Sequence, residues 1–136
     1  MLSTDLVTLE EQQTEKYLSK YAHPRIMWNE PTEQQLAELP ELYETEETPI
    51  KDKIIHIHLF IFSTDWYIVE YGPATKRAWG FVILSGDYQN AEWGYFSLVE
   101  LEDVKIFGVQ VDRDLHWKVR NASEVDKIVK AQQGRW

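Results

Sequence analysis

The chain has 136 residues, no cysteine, 43% hydrophobic residues and a formal net charge of −9. That length suits one domain with its own core. The missing cysteines exclude disulfides, thiolate catalysis and cysteine-ligated zinc, and no apolar run approaches the roughly 20 residues that cross a bilayer. The charge is uneven. Residues 1–50 hold eleven acids against three bases, while residues 51–136 are nearly balanced with twelve acids and eleven bases. Direct binding to nucleic acid is disfavoured, because phosphate neutralisation needs a basic surface. The start, Met1 to Asp5, lacks the basic-then-apolar pattern of a secretory signal, so the cytoplasm is the expected location.

The segment from Asp5 to Tyr21 has helical periodicity. Leu6, Leu9, Gln13, Tyr17, Leu18 and Tyr21 share a face, and Glu10 and Glu11 suit the positive end of the helix dipole. Pro24 ends that pattern. Thr32 with Gln35 forms a capping box for a second helix, whose apolar stripe is Leu36, Leu39, Leu42 and Tyr43, broken or kinked at Pro40. An acidic loop carrying Glu41, Glu44, Glu46 and Glu47 follows.

From Lys53 the period changes to two. Ile54 to Phe62 predicts a central strand, with Ile55, Ile57, Leu59 and Ile61 on one face and His56 and His58 on the other. Ser63 to Asp65 predicts a turn and Trp66 to Tyr71 its hairpin partner. Trp79 to Leu84 and Glu92 to Phe96 predict two further strands. Ser97 and Glu100 form a second capping box, opening a helix that ends near Val104. A fifth strand is expected over Asp114 to Val119, and a C-terminal helix capped by Ser123 with Val125, Ile128 and Val129 on its apolar side. The fold class is therefore α+β: an antiparallel sheet of about five strands, with N-terminal helices, one helix before the last strand and a C-terminal helix. We read the chain as a single domain, with a helical extension over residues 1–35, a core over 36–125 and a helix end over 126–136.

Several runs, in this order, suggest a family: Glu38 to Tyr43, Trp66 to Tyr71, Gly80 to Val82, Glu92 to Leu101, Val111 to Trp117 and Ala122 to Val125. The series resembles the domain-of-unknown-function family 2958, whose pattern carries "LP-L", "TWY–E-", "ELGYFSL-EL", "ERDL-F" and "LSEV" pieces. Trp93 stands where that family usually has a small aliphatic residue, and Asp112 where it usually has Glu. The resemblance implies no established activity. It implies kinship with small accessory proteins of plasmids, integrative elements and phages, often encoded near antirestriction genes.

Three candidate constellations stand out. His56 and His58 share a strand face, and with Asp114 and His116 could hold Zn or Fe in a metal-dependent enzyme; alternatively the pair lies under a helix with its hydrogen bonds satisfied. Arg113, beside Asp112 and Asp114, is expected to pair with Glu92 or Glu70 across the sheet. The aromatic set Trp66, Tyr67, Tyr71, Trp79, Trp93, Tyr95, Phe96 and Trp117 reads mainly as core. The leading functional expectation is a non-enzymatic, acidic interaction module without a cofactor. It would present Glu10, Glu11, Glu41, Glu44, Glu46 and Glu47 to a basic surface on a protein partner, such as one that otherwise binds nucleic acid. A third reading is a passive subunit of a larger assembly.

Overall fold

The structure is a computed structural model that describes residues 28–136. The expected N-terminal helix, with Glu10 and Glu11, lies outside the described residues. The fold is α+β, as the periodicity predicts. Its frame is a five-stranded antiparallel sheet of β2 (Ile57–Ile61), β3 (Thr64–Gly72), β4 (Arg77–Ile83), β5 (Glu92–Ser97) and β8 (Asp112–Arg113), in the order β5-β4-β3-β2-β8. Two small ribbons flank it: β1 (Ile54–Ile55) with β9 (Arg120–Asn121), and β6 (Lys105–Ile106) with β7 (Val109–Gln110). The helices are α1 (Glu33–Ala37), α2 (Leu98–Glu102) and α3 (Asp126–Gln132).

Alternation along β3 sends side chains to two cores. Trp66 and Ile68 pack with Ile57, Leu59, Ile61, Leu98, Leu101 and Val109 on one face. Tyr67 and Val69 pack with Phe81, Ile83, Val125, Ile128 and Ala131 on the other. The helix α2 and the β6–β7 ribbon thus cover the first face, and α3 the second. Gly80 sits where β4 crosses β3 most closely: a Cβ there would lie 1.8 Å from Tyr67 O. Only glycine leaves that ladder intact. The register beside it shifts between Ile68 and Glu70, which brings Glu70 opposite Trp79.

The first capping box is complete where predicted, and at the second Ser97 caps the helix without the reciprocal bond from Glu100. Thr32 Oγ1 accepts from Gln35 N at 3.1 Å and Gln35 Oε1 from Thr32 N at 2.9 Å, while Ser97 Oγ accepts from Glu100 N at 3.3 Å. Other expectations are corrected. The helix α1 stops at Ala37, ahead of the expected break at Pro40, whose carbonyl is taken by Tyr71 N at 2.9 Å, and no helix continues from there to Tyr43. The long first strand is two pieces broken at His56, whose N–H reaches Ile68 O. The break moves Ile55 into the core opposite to that of Ile57, Leu59 and Ile61. The β2–β3 turn is only Phe62 and Ser63, with Phe62 at φ 49°, so Asp65 lies inside a strand.

No strand runs from Asp114 to Val119. The Asp114 carboxylate accepts from His116 N at 3.0 Å, and Asp114 O accepts from Trp117 N at 3.3 Å. This is an Asx turn, which ends β8 after Arg113. Ser123 does not cap α3; it lies in a 3₁₀ turn, and Val125 precedes the helix without a side-chain cap. Val129 faces solvent, and Ala131 takes the inward position expected for it.

Candidate functional site

Two polar constellations stand at opposite ends of β3. At its start, β2 places His58 directly across from Tyr67, and the two rings stack with centroids 4.6 Å apart and planes 8° apart. Trp117 tilts against His58 at 5.3 Å, held by a bond from its Nε1 to Ile55 O at 3.0 Å. The imidazole is then gripped from both sides. Nε2 lies 2.7 Å from Asp65 Oδ1 and Nδ1 lies 2.9 Å from Asp114 Oδ2. Lys127, reaching over from α3, is 3.1 Å from the second oxygen of Asp65.

Asp65 is almost wholly buried, and burying a carboxylate this way is costly unless it is paired. Burial by itself would keep His58 neutral. The hydrogen bonds and charges of Asp114 and Asp65 outweigh it and raise the imidazole pKa above its ordinary 6.5. The same bond to His58, helped by the His116 amide and working against burial, lowers the Asp114 pKa below its ordinary 3.8. Burial and the Asp65 charge push the Tyr67 phenol well up, so it stays protonated. In the doubly bonded arrangement both imidazole nitrogens donate, which is the imidazolium form.

His56, His58 and Asp114 line one cavity of about 270 Å³, together with Glu38, Arg113 and Trp117. Burial lowers the His56 pKa, opposed by the charge of Glu38. His116 is exposed and is not among the lining residues. Among the described residues no group of three or more histidines and carboxylates is placed to hold a metal ion. With Asp65 on one nitrogen and Asp114 on the other, His58 has no free lone pair to offer Zn or Fe. The geometry is that of a charge clamp joining β2, β3, the Asp114 turn and α3. A larger cavity of about 780 Å³, walled by Trp28, Leu36, Tyr71 and Leu98, also carries Lys76 and Glu33, charges of opposite sign that select no chemistry.

At the far end of β3, Glu70 is buried beneath the acidic loop. Its Oε1 accepts from Tyr43 N at 2.9 Å, and its Oε2 accepts from Thr45 N at 3.1 Å and from the Thr45 hydroxyl. Lys53, also buried, donates to Thr45 O at 2.6 Å and lies 5.0 Å over the Trp79 ring. Tyr43 takes a positive φ of 75°, which lets two nearby amides turn toward one carboxylate. The loop is thereby held from below, and Glu41, Glu44, Glu46 and Glu47 all remain exposed. None of the four takes part in an ion pair among the described residues.

The expected cross-sheet ion pair is absent. Arg113 is in β8 and Glu92 in β5, the two opposite edges of the sheet, and Glu70 is occupied by the loop. Arg113 Nη1 instead donates to Glu30 O at 2.6 Å. Asp112 is buried, and its Oδ1 accepts from Arg113 N at 2.8 Å and Asn29 Nδ2 at 3.1 Å. The sequence gives no site role to Asp65, Lys127 or Lys53, and it pairs Glu70 with Arg113 instead of with the Tyr43–Thr45 loop. The available signal was an acid inside each end of an otherwise apolar strand run, Asp65 and Glu70, which demands a partner. Comparison with family models, curated proteins and solved structures returned no match for this chain.

Proposed function

We propose that this protein is a non-enzymatic interaction module that docks onto a basic surface of another protein through the loop carrying Glu41, Glu44, Glu46 and Glu47. The observation that carries the reading is the way this loop is held. Its inward groups are consumed by Glu70 and Lys53, leaving four glutamates facing outward with no cation paired to them among the described residues. A surface held before binding loses less conformational entropy on docking, and like charges gathered on it steer a basic partner. Proteins that otherwise bind nucleic acid present such surfaces. The resemblance to family 2958 supports a setting among mobile-element or phage accessory proteins acting in the cytoplasm, with anti-defence as the role to examine.

The test is affinity capture from the native host at low and high salt. It compares the natural chain with a variant carrying Gln at positions 41, 44, 46 and 47. A partner with a basic surface should be captured by the natural chain at low salt and lost both at high salt and with the variant. Equal capture by both chains at both salt concentrations would sink the reading. Deleting residues 1–47 is a poorer probe, because it also strips Tyr43 and Thr45 from the buried Glu70.

A further inference from the structure

Strand β5 is one outer strand of the main sheet. Leu98 N donates to Lys76 O at 3.0 Å, and the β4–β5 register runs without a slip from Arg77↔Ser97 to Val82↔Glu92. Antiparallel bonding alternates from that pair. Glu92, Gly94 and Phe96 therefore turn their backbone groups toward β4, while Trp93 and Tyr95 turn theirs outward. Among the described residues no backbone bond engages those outward groups. Edge strands are ordinarily blunted by lysine, proline or a bulge. The β5 sequence Glu92-Trp93-Gly94-Tyr95-Phe96-Ser97 has none of these.

The strand is also stiffened for pairing. Arg77 lies 4.6 Å over the Tyr95 ring, Tyr43 meets the same ring at 6.1 Å, and Trp93 stacks on Trp79 at 5.4 Å. Gly94 is the opposite case to Gly80, which it faces across the ladder: nothing lies within 4 Å of where its Cβ would be.

We propose that β5 pairs with β5 of a second copy of this chain, antiparallel about a two-fold axis at Tyr95. In that register Tyr95 exchanges both backbone bonds with Tyr95 of the other copy. Gly94 comes opposite the other copy's Phe96, and that ring covers the empty slot over the glycine, as aromatic side chains do for edge glycines in sheets. The exchange is reciprocal, so both slots are filled. Glu92 comes opposite the other copy's Leu98, next to the exposed Lys76, which pairs an acid with a base at each end of the seam. The two sheets merge into one of ten strands.

Sedimentation velocity of the full chain across a concentration series, with amide hydrogen exchange, tests this. The natural chain should sediment as a dimer at high concentration, with the Tyr95 amide slowed as the dimer forms. Gly94→Glu puts a charge into a slot that is open in the single copy, so it should fold normally, weaken the dimer at least tenfold and leave the Tyr95 amide fast. Tyr95→Pro removes an outward donor without touching a bond to β4 and should be monomeric. A chain that stays monomeric throughout, a dimer unchanged by Gly94→Glu, or a Tyr95 amide protected in the monomer each overturns the proposal.

Discussion

The two buried acids of β3 meet the same physical demand in different ways. Asp65 is answered by side-chain charge, from His58 and Lys127. Glu70 is answered mostly by backbone, through the amides of Tyr43 and Thr45, with the Thr45 hydroxyl completing the cradle. The first solution depends on protonation, because imidazole changes charge near neutral pH. The second depends on the path of a loop, because amides do not titrate. One end of the strand therefore responds to pH and ties α3 to the sheet, while the other shapes an outer surface.

The largest effect should come from His58→Ala. It leaves Asp65 and Asp114 without their shared cation and opens space between Tyr67 and Trp117, lowering unfolding stability by about 3–5 kcal/mol in mildly acidic denaturant titrations. Glu70→Gln should cost about 1–3 kcal/mol, since its NH₂ group turns a donor against donors. Its signature in amide exchange is a loosened Tyr43 and Thr45 with the His58 end undisturbed. If the slowed amides of the two ends failed together in both variants, the independence of the two solutions would be lost.

The pH profile sharpens the same contrast. His58 titrates above 6.5 in the folded chain, so its contribution is complete below 6.5 and falls away as pH rises through the folded value. Asp114 titrates below 3.8, so its contribution holds above 3.8 and is lost as pH falls through the folded value. Melting temperature followed from about pH 4 to about pH 9 should therefore decline on the alkaline side. His58→Gln should flatten that decline, and Glu70→Gln should leave its shape unchanged. The smallest effect belongs to Lys127→Met. Its side chain is nearly half exposed, so solvent screens the contact with Asp65 and the loss should be about 0.2–1 kcal/mol.

Much of the frame was legible in the residues. Thr32 and Gln35, and Ser97 and Glu100, announce helix starts by local hydrogen bonding alone. The apolar run from Trp66 to Tyr71, following a turn, announces the hairpin partner of the strand before it. What was not legible involved partners distant in sequence. Asp114 looks like a strand residue until its carboxylate is seen to bind the His116 amide, and Arg113 looks like a partner for Glu92 until the strand order places them on opposite edges. The His56–His58 pair suggested a metal. Spacing along one strand could not show that both His58 nitrogens would be taken by acids 7 and 56 positions away.

By itself the sequence determined the α+β class, the main strands, the Thr32 capping box, the Ser97 helix cap and the concentration of negative charge before residue 50, because each follows from periodicity or composition within a short window. Only the tertiary structure decided that Asp65 would meet His58, that Glu70 would hold the glutamate loop from beneath, and that Gly80 is obligatory while Gly94 stands open. Those outcomes depend on which strands become neighbours and in what register, and a one-residue shift of register changes every cross-strand partner.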